Sequence, residues 1–258
     1  MKPTAARRAA RLDAVESLGQ GLARVELVAR GIGTGVAPGR FAMVEAPGRA
    51  ECILLRPYSY FLAPDADRIA LLVREVGNGT RALVTAPIGT PVAVVGPLGN
   101  TFPTPAGPCW VVAGGVGAAP FGEMAQQSNM RLLFGARSSA DAGFGEALRD
   151  AGASVSLATD DGSAGFHGTV TAMLMQDLEE QPPPSVIYTC GPEAMMVEVV
   201  RIARAQTIPC WVSLEQRMAC GFGVCRGCAH RDASGAWRCI CEDGPVYEAG
   251  VIFPQGNA

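Results

Sequence analysis

The chain has 258 residues, with 21 basic and 24 acidic side chains, a formal charge of −3, and 48% hydrophobic against 17% charged residues. That apolar fraction excludes a wholly disordered chain, and the slightly negative charge argues against nucleic acid as the main partner. The longest nearly apolar run, residues 109–122, is broken by glycines and Pro120 and falls short of the ~20 residues of a membrane helix. No apolar segment follows the basic opening MKPTAARRAARLD, so no membrane span and no secretory signal are expected, and a cytoplasmic location is.

From residue 12 to about 104 the chain reads as short strands separated by turns. Val25 and Leu27 alternate with Arg24 and Glu26, residues 30–40 form a loop, and CILLRPYSYF (52–61) and RIALLVREV (68–76) are strands. GNGT (77–80) reads as a turn, TRALVTA near residue 80 is the one candidate helix of this half, and TPVAVVGPLGNTF (90–102) holds another strand. This pattern predicts an antiparallel β-barrel or sandwich. After PTPAGP (103–108) strands and helices alternate: CWVVAGG (109–115), a helix starting at PFGEMAQQS with Pro120 in its first turn, RLLFGA (131–136), a helix at 144–152, SVSLATD (154–160), a helix at 170–181, SVIYTCG (185–191) and a helix at 192–206. Alternation of this kind predicts a parallel sheet covered by helices on both faces. From Ile208 onward no long periodic segment remains, only a small loop-rich module that needs a staple. The expected divisions are 1–104, 105–207 and 208–258.

Nine cysteines are present, and five of them lie within residues 220–241. Without a secretory signal, metal or redox chemistry explains that crowding better than disulfides. Cys220, Cys225 and Cys228 have the C-x4-C-x2-C spacing of plant-type [2Fe–2S] proteins, and Gly221, Gly223 and Gly227 leave the loop's N–H groups free to face sulfur. A zinc site is the alternative, and with it a zinc-stapled binding module without redox activity. The spacing leaves the fourth ligand open between Cys239 and Cys241. Phe222, Val224 and Tyr247 flank the cysteines and are candidate partner contacts, packing of the module itself being the other explanation.

Gly114, Gly115 and Gly117 lie where a buried strand turns into a helix, a place that binds pyrophosphate or serves packing alone. Cys190, Gly191 and Pro192 end another parallel strand at the same sheet edge. Arg56, Pro57, Tyr58 and Ser59 put a cation, a ring and a hydroxyl on one strand, with Gly79 and Thr80 in a turn downstream, a pattern shared with ordinary surface strands.

Taken in order, R-x-Y-S, G-T, GG-x-G-x-AP, CGPE and the cysteine module followed by CEDGPVY resemble the ferredoxin–NADP reductase superfamily. Within it they resemble the family of electron-transfer subunits of class 1B dihydroorotate dehydrogenases. The resemblance implies an FAD-binding barrel, an NAD-binding α/β domain and one [2Fe–2S] cluster. It implies flavin contacts from Arg56, Pro57, Tyr58, Ser59, Leu72, Val73 and Arg74, and pyrophosphate contacts from Gly79 and Thr80. The fourth ligand would be Cys241, ahead of Glu242-Asp243-Gly244-Pro245, with Cys239 an extra thiol. Asp160, and Asp161 beside it, would lie near the adenosine ribose and favour NAD over NADP. The implied partner is an FMN-containing dihydroorotate-oxidising subunit, in a heterotetramer of two plus two, and no acid–base residue is required in this chain. A subunit of a ferredoxin-dependent NAD(P)H reductase or of a sulfide dehydrogenase is the alternative with the same fold.

Overall fold

The computed structural model describes residues 4–48, 52–125 and 129–254. Six strands close an antiparallel barrel: β1 (Ala6–Ser17), β2 (Leu22–Val28), β3 (Phe41–Val44), β4 (Arg56–Asp65), β5 (Arg68–Arg74) and β6 (Pro91–Leu98), in the order β1-β2-β5-β4-β3-β6. Inward-facing Val25, Leu27, Ile69, Leu71 and Val73 fill it, as strand alternation requires.

Three local expectations change here. β1 begins at Ala6, ahead of the predicted strands; Ala10 and Leu12 are buried between exposed Ala9, Arg11 and Asp13, an alternation made faint by alanine on both faces. The run CILL is not strand. β4 starts at Arg56, and Ile53 and Leu54 stand 87% and 57% exposed. GNGT is not a free turn but the start of helix α1 (Asn78–Thr85), because the Thr80 hydroxyl accepts the N–H groups of Val76 and Gly77 at 2.9 and 3.2 Å while Ala82 and Leu83 are buried.

The second sheet contains β7 (Cys109–Gly114), β8 (Met130–Ala136), β9 (Val155–Thr159), β10 (Phe166–His167), β11 (Val186–Cys190) and β12 (Cys210–Ser213), all parallel. Their order is β10-β9-β8-β7-β11-β12. Helices α3 (Val170–Glu180) and α4 (Glu193–Ala205) bury Leu174 and Val199 on one face, with Val112 and Leu133. Helix α2 (Gly143–Asp150) packs Phe144 and Leu148 on the other face, where barrel residues Phe61 and Leu72 also lie. The segment after β7 forms 3₁₀ turns over Gly115–Met124 instead of an α-helix opening at Pro120. It is wedged between barrel and sheet, with Ala118, Ala119 and Phe121 buried; the rest of the predicted helix, 126–128, lies outside the described residues.

Beyond β12 the chain leaves the sheet, forms a hairpin of β13 (Ala229–Arg231) and β14 (Trp237–Cys239) and a turn of helix α5 (Ile240–Asp243), then returns as β15 (Val246–Glu248), antiparallel to β12, before a last turn α6 (Ala249–Ile252). Two strands of the C-terminal stretch thus extend the second sheet. Asn100, at the end of β6, ties this return to the barrel. Its amide donates to the Val246 carbonyl at 2.8 Å and accepts the Val246 N–H at 2.9 Å, and its own N–H donates to the Gly244 carbonyl at 2.8 Å. Replacing Asn100 with Ala leaves two backbone groups of Val246 without their partners, so a loss of about 2 kcal/mol in urea unfolding is expected. Asn100→Asp keeps the acceptor for the Val246 N–H but sets a carboxylate oxygen against the Val246 carbonyl, so it should not recover the loss.

Candidate functional site

Two cavities lie side by side where the barrel, the sheet and the C-terminal stretch meet. Each is within the ~300–1,000 Å³ usual for small-molecule sites. The first, about 580 Å³, opens at the carboxyl ends of the parallel strands, between Gly114, Gly115 and Gly117 on one side and Gly191 and Pro192 on the other. Such an edge is where open α/β sheets take ligands. Gly117 lies so close to the end of β11 that a Cβ there would sit 2.3 Å from the Cys190 carbonyl oxygen. Only glycine lets the two strand ends converge.

Asp160 and Arg137 both line this first cavity. Asp161 does not: its carboxylate accepts the Ser163 N–H and hydroxyl at 2.9 and 2.6 Å, bonds that hold it below the usual carboxylate range. The expected pair of carboxylates is therefore one. Cys190 is 1% exposed and lines neither cavity; burial, and then the nearby Glu215 charge, keep its thiol protonated.

The second cavity, about 610 Å³, is bounded by Pro57, Tyr58, Ser59 and Leu72 from the barrel, by Ala119 from the 3₁₀ turns, and by Leu214–Met218 and Pro245 from the C-terminal stretch. The Tyr58 hydroxyl is buried without a partner, so the wall carries a polar group that a ligand would satisfy. Alternation along β5 splits its predicted residues. Leu72 and Arg74 face the cavity, whereas the Val73 side chain is in the barrel core, leaving only its backbone for a ligand. Arg56, Gly79 and Thr80 form a group beside the lining, next to Pro57 and Val76, which belong to it. A Cβ on Gly79 would fall 2.0 Å from Arg56 Nε, so glycine makes room for the guanidinium to lie across the start of α1. The Thr80 hydroxyl is already engaged by that helix start, which leaves the backbone N–H groups there.

Arg74, Val116 and Glu215 line both cavities. Arg74 leans toward Asp141 at 3.5 Å. Glu215 is open to the cavity mouth yet enclosed by its walls, and burial raises its carboxyl above the usual range. The segment Leu214–Met218 was missed from sequence because it carries no motif; its one signal is its place immediately before Cys220.

The cysteines of the C-terminal loop stand as two pairs. Cys225 donates its N–H to Cys220 Sγ at 3.5 Å, and Cys228 Sγ lies 3.2 Å from Cys241 Sγ. Further N–H groups point at these sulfurs, from Gly223 to Cys241 at 3.1 Å, from Cys241 to Cys228 at 3.4 Å and from Gly227 to Cys225 at 3.4 Å. Burial works against ionisation of Cys220, but the N–H groups of Cys225, Phe222 and Val224 and the Cys225 thiol outweigh it and bring that thiol down to about 7. Burial, then the Cys228 thiol, push Cys241 up to about 12. Among the described residues no three His, Cys, Asp or Glu side chains converge as ligands of one ion. Two pairs with convergent N–H donors instead suit the two irons of a binuclear cluster, whose sulfurs accept such bonds. Cys239 lies on β14, its N–H held by Asp243 Oδ2 at 2.7 Å. Phe222 and Val224 are 51% and 78% exposed, but Tyr247, expected beside them, is only 7% exposed and belongs to the core.

If Cys241 and not Cys239 completes the set, Cys241→Ser removes or strongly alters the visible cluster absorption of the purified chain, while Cys239→Ser leaves it nearly intact. The reverse result would move the fourth ligand to Cys239.

Comparison with known proteins follows these parts. Residues 215–252 match the iron–sulfur cluster binding domain of dihydroorotate dehydrogenase B, and residues 111–201 match the oxidoreductase NAD-binding domain. The chain is similar in fold to a structure of an NADH-dependent reduced ferredoxin–NADP oxidoreductase, with a TM-score of 0.82 and 23% identity, over 95% of this chain and 89% of that one. It is 34% identical over 84% of its length to the electron transfer subunit of dihydroorotate dehydrogenase B (NAD(+)) of Listeria monocytogenes, covering 88% of that protein, and 36% identical over 83% of its length to that of Geobacillus thermodenitrificans, covering 86%. The chain belongs to the family of dihydroorotate dehydrogenase B electron transfer subunits.

Proposed function

We propose that this chain carries electrons from the FMN of a dihydroorotate-oxidising partner, through a [2Fe–2S] cluster and FAD, to NAD⁺, in pyrimidine biosynthesis. The observation that carries the reading is the second cavity. Its walls come from the barrel, from the 3₁₀ turns under the glycine edge, and from the residues flanking the cysteines. A flavin there would meet a nicotinamide nucleotide at Arg74, Val116 and Glu215, and would meet the cluster loop across Met218 and Pro245.

When bound, the flavin supplies the conversion between single electrons and a hydride. The chain's residues do the holding. Tyr58, Ser59 and Leu72 shape the ring site, while Arg56 and the first N–H groups of α1 face the pyrophosphate. Gly114, Gly115, Gly117, Gly191 and Pro192 leave the sheet edge open to the nicotinamide nucleotide, and Asp160 accepts from a ribose 2′-hydroxyl and disfavours a 2′-phosphate. Cys220, Cys225, Cys228 and Cys241 ligate the cluster near the surface that carries Phe222 and Val224, and that surface faces the partner in a complex of two plus two subunits. Among the described residues no helix is long and apolar enough to cross a membrane, and all nine cysteines are free of disulfides, as in a reducing compartment; the cytoplasm is the location we assign. The proposed divisions follow the three parts, 1–104, 105–207 and 208–258.

Mixed with the FMN-containing subunit, the chain should enable NAD⁺ reduction by dihydroorotate, and omitting it should abolish that reduction. No dependence on this chain would refute the proposal. In diaphorase assays with an artificial acceptor, kcat/KM for NADH should exceed that for NADPH, and Asp160→Ala should narrow the gap; a ratio at or below one removes the assignment of Asp160. Arg56→Ala should weaken FAD retention roughly tenfold or more, since a charged hydrogen bond contributes ~1.5–3 kcal/mol. Full flavin occupancy of that variant after long dialysis would count against it.

A further inference from the structure

Asp161 and Ser163 are exposed and line neither cavity, yet a chain of short bonds runs from them to the wall of the first. The Asp161 carboxylate accepts the Ser163 N–H at 2.9 Å and its hydroxyl at 2.6 Å. The same hydroxyl accepts the Ser139 N–H at 2.7 Å. Ser139 opens a 3₁₀ turn, Ser139–Asp141, ahead of α2, and the first N–H groups of a helical turn have no partner inside it. Arg137 and Asp141, two residues to either side of Ser139, both line the first cavity. A hydroxyl that donates to a carboxylate becomes a better acceptor, so Asp161 strengthens the hold of Ser163 on Ser139. The loop that carries Ser163 is itself fixed. Thr159, buried at the end of β9, donates its hydroxyl to the Ala164 carbonyl at 2.7 Å and accepts the Ala164 N–H at 3.1 Å. The Asp161 N–H donates to the Arg137 carbonyl at 3.2 Å. Just past the 3₁₀ turn the chain abuts the barrel, where a Cβ on Gly143 would stand 2.1 Å from the Leu18 carbonyl oxygen. The turn is thus held by the barrel beyond one end and by Ser163 at the other.

We propose that Ser163 is a positioning residue for the nicotinamide nucleotide: its hydroxyl, braced by Asp161, latches the Ser139–Asp141 turn and so holds Arg137 and Asp141 in place on the wall that takes the adenosine half. The inference rests on the reading above that puts the nucleotide in the first cavity with its ribose at Asp160. Without the latch the turn has to be ordered when the nucleotide binds, and that ordering costs affinity. Once the cavity is filled the turn is ordered in either case, so the rate at saturation is kept. Ser163 touches neither substrate nor flavin and acts only through the turn.

The test is steady-state oxidation of NADH by the full chain with an artificial acceptor, in the native protein, Ser163→Ala and Ser163→Thr, with ADP-ribose as competing inhibitor. Ser163→Ala should raise KM for NADH and Ki for ADP-ribose together, by about three- to tenfold, the effect of one hydrogen bond, with kcat unchanged. Ser163→Thr keeps the hydroxyl and should restore both. Unchanged KM and Ki in Ser163→Ala overturn the proposal, as does a rise that Ser163→Thr does not reverse or a fall in kcat alone. Asp160→Ala, measured alongside, separates the two readings. An effect of Asp160→Ala on Ki without one of Ser163→Ala removes the latch and keeps the placement of the ribose; no effect of either removes the placement itself.

Discussion

Ser213 on β12 pairs with Val246 on β15, and the Leu214 N–H donates to the Pro245 carbonyl at 3.0 Å. That closure fixes both ends of the cysteine-bearing excursion to one edge of the second sheet, and Asn100 fixes the same point to the barrel. The consequences are chemical. Residues 214–218 and Pro245 become walls of the larger cavity because they are the two stems of the excursion. Cys220 and Cys241 follow or precede those stems by a few residues, so the sulfur sites and the cavity cannot drift apart. A small loop-rich segment poor in apolar residues would not hold such an arrangement alone; here it borrows rigidity from the sheet and the barrel.

The two cavities express a division of labour already present in the backbone. Alternation along β5 puts Val73 into the barrel core and Leu72 and Arg74 toward the ligand side, so one strand serves both stability and the site. Convergence of the ends of β7 and β11 serves packing through Gly117 and leaves an open edge beside it. Arg74 and Glu215, of opposite charge, stand where the cavities join. A bound ligand on either side therefore meets groups that also face the other.

Much of this was legible in the sequence, for reasons that can be named. Long parallel strands such as CWVVAG and VIYTC are continuous apolar runs bounded by glycine and proline, and the helices between them carry apolar residues at helical spacing. Local spacing also marked the cysteine loop. What escaped depends on tertiary neighbours. Ala10 and Leu12 of β1 become a buried face only because β2 and β6 flank them. Exposure of Ile53 and Leu54 cannot be read from their hydrophobicity. Glu215 and Met218 matter through where β12 ends, and Asp161 is withdrawn from the cavity by a bond to Ser163 two residues away. For Tyr247 the sequence left partner contact and packing open, and its ring packs on Gly244.

The central claim is that the two cysteine pairs hold two irons bridged by sulfide. Iron, zinc and acid-labile sulfide determination on the anaerobically purified chain tests it most directly. The account predicts two irons and two sulfides per chain with zinc absent. One zinc per chain without sulfide would contradict it.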